Sequence, residues 1–315
     1  MATKNSTRRK LAIATWSAPR EGNIYGKLTV DVTEALDYIA QVRERTGLKI
    51  TITHLVGVAV ARALAKAPGL NGTIKLGKYV QHETVDIAFL VALEGGNDLG
   101  KALVRDAAEL GVADIAESLR AQAQRLRDGK DDDFEKSKGL LRALPTWLLR
   151  PLLWLTGWLS GSMGANIPAL GVTAFPFGSC IITNVGVFGL DEGWAPPTPF
   201  ARVPVYVLTG AVRERPSVVD GELTTRQQMT LCATIDHRFL DGAQGGVLAR
   251  VVRDVLENPW QLDDSEQATE VVEQDDSDIL GEAQPTAVSE EAPPPPVADP
   301  VPEAAVDPVP DPGRI

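Results

Sequence analysis

Along the first half of the chain the apolar positions change period several times, and each change predicts an element. "YGKLTVDV" alternates with period two and reads as a strand. Thr33 then caps a helix carried by Leu36, Ile39 and Ala40, and Gly47 ends it. "ITHLVGVAVARALAKAP" is apolar on most sides, which predicts a buried helix capped by Thr53 and stopped at Pro68. "VDIAFLVALE" reads as a strand, and residues 113–127 as an amphipathic helix through Ile115, Leu119 and Leu126. "SCIITNVGVFG" is a strand that runs into a glycine-rich turn. "VPVYVLTGAV" and "QQMTLCATID" are strands, and "VVDGEL" between them supplies an Asp-Gly hairpin turn. "AQGGVLARVVRDVLENP" closes the series as a helix with Val247, Leu248, Val251 and Val255 on one face. Alternating helices and strands make an α/β (α+β) sandwich, its sheet mixed or antiparallel. No repeat of 20 to 50 residues interrupts it.

One stretch breaks this pattern. From Gly139 to Leu190 the only charges are Arg142 and Arg150, and three of the six tryptophans lie there, at 147, 154 and 158. "LLRALPTWLLRPLLWLTGWLSG" admits three readings: a buried or interface helical hairpin, an interfacial membrane helix with Trp anchors, or a true span. Two prolines divide it, so about 20 uninterrupted apolar residues are not present.

Charge is also unevenly spread. The net of −11 arises in residues 263–315, where 15 Asp and Glu face the single Arg314. The rest is close to neutral, which argues against a nucleic-acid partner. The segment 263–315 is acidic, Pro-rich and nearly free of aromatics, so a disordered tail is expected. Cys180 and Cys232 offer neither a disulfide framework nor metal-ligand spacing, and both sit in apolar runs. The N-terminal "LAIATW" is too short for a secretory core, and a cytoplasmic location is expected, peripheral at the membrane if residues 139–160 bind one.

The candidate chemistry centres on His237, one of three histidines. In "DHRFLDGAQGG" it ends a strand-like run, with Asp241-Gly242 four residues on. An imidazole titrating near neutrality can deprotonate a thiol or an alcohol, and a carboxylate can fix the local geometry. A capped helix start explains Asp241-Gly242 equally well. In "IITNVG" the Thr183 hydroxyl lies at the lip of a glycine turn, where it serves either as an oxyanion donor or as an ordinary strand residue. His54, beside a helix cap, reads as a structurally satisfied residue, and His82 in "KYVQHETVD" as a surface one.

These segments resemble a known family. "DHRFLDGAQGG" is similar to the D-H-R-x-x-D-G signature of the dihydrolipoamide acyltransferase (E2) catalytic domain of 2-oxo acid dehydrogenases. That domain shares a fold with chloramphenicol acetyltransferase. "GSCIITNVGVFGLD" resembles the family's T-F-T-I-S-N-L-G segment. "GKLTVDVTEAL", "KITITHLVGVAVARALAKAPGLNGTI" and "VDIAFLVALEGG…LVRDAAELGVADIAE" follow in the family's order, covering roughly residues 9–130 and 174–262.

The resemblance implies a chloramphenicol acetyltransferase-like sandwich with a mixed sheet flanked by helices. It implies an extension at 1–8, a catalytic domain at 9–262 with an insertion at 138–172, and the tail at 263–315. It makes His237 the general base and Thr183 the oxyanion donor, with Asp241 bracing the loop. Asn184 and Gly186 would shape the strand end, and Arg238 and Gly242 the turn around the base. The reaction would be direct acyl transfer between coenzyme A and another thiol, without an acyl-enzyme. A homotrimer is implied, with His and hydroxyl from different chains. Only about ten residues precede the match, so a lipoyl group is expected to come in trans from a separate lipoyl-carrying protein or from dehydrogenase partners. Two further readings stand: transfer to a hydrophobic or lipid-like acceptor, and a non-catalytic trimeric scaffold.

Overall fold

The chain opens on β1 (Asn23–Asp31), followed by helices α1 (Thr33–Thr46) and α2 (Ile52–Lys66). A 3-10 turn at Pro68–Leu70 leads into the small hairpin β2 (Gly72–Lys75) and β3 (Lys78–Gln81). Next come β4 (Ile87–Leu93), β5 (Asp98–Val104) and α3 (Val112–Arg127), then α4 (Thr146–Gly157), which passes into a π-helical turn at Trp158–Ser162. Strands β6 (Cys180–Asn184), β7 (Val205–Thr209), β8 (Arg213–Val219) and β9 (Glu222–Asp236) precede the last helix, α5 (Gly242–Glu257). This is a computed structural model, and it describes residues 22–93, 98–128, 144–167, 172–219, 221–240 and 242–263. The expected tail, but for Asp263, lies outside them.

The main sheet has seven strands in the order β1-β9-β7-β6-β4-β5, with β8 paired to the outer part of β9. β6 runs parallel to β4 and β7, and the other pairings are antiparallel, so the sheet is mixed. Side chains alternate across it with period two. Ile87, Cys180, Ile182, Val205 and Leu231 point into a core shared with Leu55 and Leu64 of α2, Ile115 of α3 and Val255 of α5. On the other face Ala88, Ile181 and Tyr206 form a smaller cluster with Ala201 and Val203. Thr183 belongs to that second face, two residues along from Ile181.

Several sequence signals act as read. Gly47 ends α1 in the left-handed region at φ 69°. Gly221 does the same for the β8–β9 hairpin at φ 85°, joining Val219 to its partner Glu222. The caps are shifted from their expected residues. Thr33 is the first residue of α1 rather than its cap, and its backbone N–H and hydroxyl donate to the Asp31 carboxylate at 2.9 and 2.6 Å. α2 is capped by Thr51, not Thr53, and the Thr51 backbone N–H donates to Nδ1 of His54 at 3.1 Å. His54 is thus satisfied, as its position implied. His82 departs from expectation: it is half-buried, its ring 4.4 Å from that of Phe175.

The tryptophan-rich segment is one helix and a π turn among the described residues, not a helical hairpin. α4 has 12 residues, about 18 Å. Among the described residues no helix is long and apolar enough to cross a membrane.

Candidate active site

His237 follows the last residue of β9. The Asp236 N–H donates to the Pro204 carbonyl at 2.9 Å, and the His237 N–H donates to the Gly22 carbonyl at 3.2 Å. Arg238 turns back on its neighbour: its backbone N–H and its Nε each donate to Oδ1 of Asp236 at 3.0 Å. The Phe239 N–H closes the turn onto the Asp236 carbonyl at 3.1 Å. The Phe239 ring meets Tyr79 of β3 edge-on, centroids 6.2 Å apart. The backbone on both sides of His237 is therefore held, while its side chain is exposed. Among the described residues nothing hydrogen-bonds the imidazole, leaving both nitrogens available for proton transfer.

Arg238 is a structural member of this turn through Asp236. Gly242 is not required by its own surroundings: no heavy atom lies within 4 Å of a Cβ placed there, and its φ is not positive. Asp241 lies outside the described residues.

Thr183 sits one residue before the end of β6, half-buried. No hydrogen bond to its hydroxyl occurs among the described residues. Asn184 beside it donates through Nδ2 to the Thr53 hydroxyl oxygen at 2.8 Å and accepts from the Val187 N–H at 3.3 Å. Gly186 is demanded by close packing, since a Cβ there would stand 2.5 Å from the Gly210 carbonyl oxygen. The N-terminal end of α2, next to Asn184, has no acidic residue in its first turn. The positive end of that helix dipole is left uncompensated beside the Thr183 strand end.

The strand registers decide how the two candidates relate. Thr183 pairs with Leu208, and Leu208 with Cys232, five residues before His237 on the antiparallel β9. At about 3.3 Å per residue and 4.8 Å per strand, the two lie on the order of 20 Å apart, at opposite ends of the sheet. One chain does not bring the two candidate residues together.

Sequence reading missed three supports of these residues: Thr53, which holds Asn184; Tyr79, which packs on Phe239; and a buried hub near the His237 end. In that hub the Asp86 carboxylate accepts from the Asp106 N–H and from Arg105, each at 3.0 Å, and the Ser179 hydroxyl donates to Asn71. Only the polar residues embedded in apolar runs at 71, 86 and 179 signalled it. Neither cysteine is a nucleophile candidate, since burial pushes both thiols above the usual range. Among the described residues no group of three His, Cys, Asp or Glu could hold a metal ion.

The chain matches the sequence model of the 2-oxoacid dehydrogenases acyltransferase (catalytic domain) over residues 5–139 and 169–263. It belongs to that family. The two matched stretches flank the tryptophan-rich segment. Among curated proteins, the chain is 28% identical over 227 residues to the mitochondrial dihydrolipoyllysine-residue succinyltransferase component of the 2-oxoglutarate dehydrogenase complex of Saccharomyces cerevisiae, covering 71% of this chain and 39% of that protein. It is 27% identical over 221 residues to the dihydrolipoyllysine-residue acetyltransferase component of the acetoin cleaving system of Bacillus subtilis, covering 70% and 44%. The chain thus spans about two-fifths of the length of these relatives. Its fold is similar to the probable dihydrolipoamide acetyltransferase of Listeria monocytogenes, with a TM-score of 0.59, 20% identity and coverage of 82% and 94%. It is also similar to the truncated catalytic core of the 2-oxoacid dehydrogenase multienzyme complex of Thermoplasma acidophilum, at 0.54, 19%, 82% and 98%. For this acyltransferase family fold, the mixed sheet flanked by helices is the one the sequence led to.

Proposed function

We propose that the chain catalyses acyl transfer between coenzyme A and a dihydrolipoyl thiol, with each active site built from two copies. The observation that carries this reading is the placement of two groups without a hydrogen-bond partner among the described residues, the His237 imidazole and the Thr183 hydroxyl, at opposite ends of one sheet. A neighbouring copy that docks its Thr183 end against the His237 end completes the constellation, and a closed homotrimer repeats it three times.

In that site His237 takes the proton from the attacking thiol. The thiolate adds to the thioester carbonyl, and Thr183 of the neighbouring copy donates a hydrogen bond to the oxyanion. Collapse breaks the original C–S bond, and the departing thiolate recovers the proton from the imidazolium. No acyl-enzyme forms, so the rate depends on holding two thiols and one base together. The Asp236–Arg238 turn fixes the base, and Asn184 and Gly186 fix the hydroxyl. The lipoyl group comes on a separate protein, and dehydrogenase subunits are the partners that would load it. The names of the relatives support succinyl and acetyl groups as the first acyl groups to try.

The test is transfer from succinyl-CoA or acetyl-CoA to dihydrolipoamide, followed as free CoA thiol. The wild-type chain is expected to turn over, and His237→Ala to lose on the order of a thousandfold in kcat. A wild-type chain that transfers no acyl group would overturn the reading in favour of a scaffold, and a His237→Ala protein as active as wild type would remove His237 as the base.

A further inference from the structure

α4 turns its apolar side outward. Trp147 is 76% exposed and Trp154 58%, and Leu148 and Leu155 are exposed with them. At helical spacing Trp147, Pro151, Trp154 and Trp158 share one stripe, flanked by Leu148 and Leu155. The opposite side is fixed to the body of the protein. Leu149 is buried, and a Cβ on Gly157 would lie 2.5 Å from the Phe200 carbonyl oxygen. A Cβ on Gly161 would lie 2.8 Å from that of Arg202, and the Thr73 hydroxyl donates to the Gly161 carbonyl at 2.9 Å. These close approaches set the rotation of the helix about its axis. The outward tryptophans are the face the fold presents, not a core face badly seated.

Charge narrows what covers this face. Among the described residues from 144 to 190 there is no Asp or Glu, and the charged residue is Arg150. Arg150 is exposed at the edge of the stripe. Size argues against a second copy: a stripe about 18 Å long and 10 Å wide falls well short of the roughly 800 Å² per partner of a stable interface. We infer that α4 is an interfacial helix that lies in the plane of an anionic lipid surface. Its tryptophans and leucines enter the headgroup boundary, and Arg150 meets the lipid charge. This inference is independent of the acyl-transfer reading.

The full chain is sedimented with vesicles of phosphatidylcholine plus phosphatidylserine, and with phosphatidylcholine alone, at low salt. Co-sedimentation with the mixed vesicles and a blue shift of tryptophan emission are expected. The Trp147→Ser/Trp154→Ser protein should partition on the order of tenfold less, and Arg150→Gln roughly fivefold less. Leu155→Gln, a milder change on the same stripe, gives the same reading should the double variant melt early. The inference is overturned if the wild-type chain ignores both vesicles, or if the stripe variants partition as it does. It is equally overturned if the wild-type chain ignores vesicles while the stripe variants lower its mass in light scattering, since the face then joins copies of this chain.

Discussion

Asn184 donates through Nδ2 to the hydroxyl oxygen of Thr53, 2.8 Å away, tying the end of β6 to the first turn of α2. The bond fixes the strand end that presents Thr183, and it spans 131 residues of sequence. Thr53→Val keeps the shape of the side chain and removes the acceptor. The expected cost is about 1–2 kcal/mol of stability, because a part-buried amide loses its partner. A fall in kcat should accompany it, since the neighbouring hydroxyl is no longer held. Urea unfolding and steady-state kinetics read the two effects. An unchanged midpoint together with an unchanged kcat would show that the bond positions nothing.

Gly186→Ala tests the close packing beyond β6. The new methyl would meet the backbone of Gly210 and Ala211, which cannot swing away as a side chain could. A loss of roughly 1–3 kcal/mol is expected, as for other overpacked sites. Gly242→Ala is the control, since a Cβ there meets nothing within 4 Å. Equal midpoints for the two variants would contradict the packing argument.

His54 makes stability depend on pH. Burial, and after it the Arg43 guanidinium, push the imidazole down to about 4. The unfolded chain titrates near 6.5, so on acidification protons bind it first. The contribution is whole above about pH 6.5 and is lost progressively as pH falls toward about 4. His54→Gln retains an acceptor for the Thr51 N–H and does not titrate. Its unfolding midpoint should therefore change less than that of the wild type between about pH 7.5 and about pH 5. Parallel curves for the two proteins would remove His54 from the account.

The elements that the sequence made legible are those with local causes. Gly47 and Gly221 adopt the left-handed backbone their positions required, and the alternation of Cys180, Ile181 and Ile182 across β6 follows the pleat. Caps were harder, because two candidates stood close together each time, and Asp31 and Thr51 act where Thr33 and Thr53 were read. β8 was hidden by Pro216, which an edge strand tolerates, and the four-residue strands β2 and β3 are too short to show a period. At the candidate site the residue types His237 and Thr183 were visible, while Gly186 was legible as part of a glycine-rich turn but not its close approach to Gly210. The separation of His237 from Thr183 was not visible. It depends on the register of β6, β7 and β9, which are joined by pairing across distant parts of the chain. The Asn184–Thr53 bond has the same origin.

The central claim is that one catalytic centre takes its base and its oxyanion donor from two copies. Complementation measures this most directly. His237→Ala and Thr183→Ala chains are each purified alone, then co-expressed with two different tags and purified as mixed oligomers. Each single variant should be nearly inactive. In a mixed closed trimer one of the three centres pairs an intact His237 with an intact Thr183, so mixed oligomers should recover about a third of wild-type kcat. Mixed oligomers no more active than the single variants would contradict a shared site.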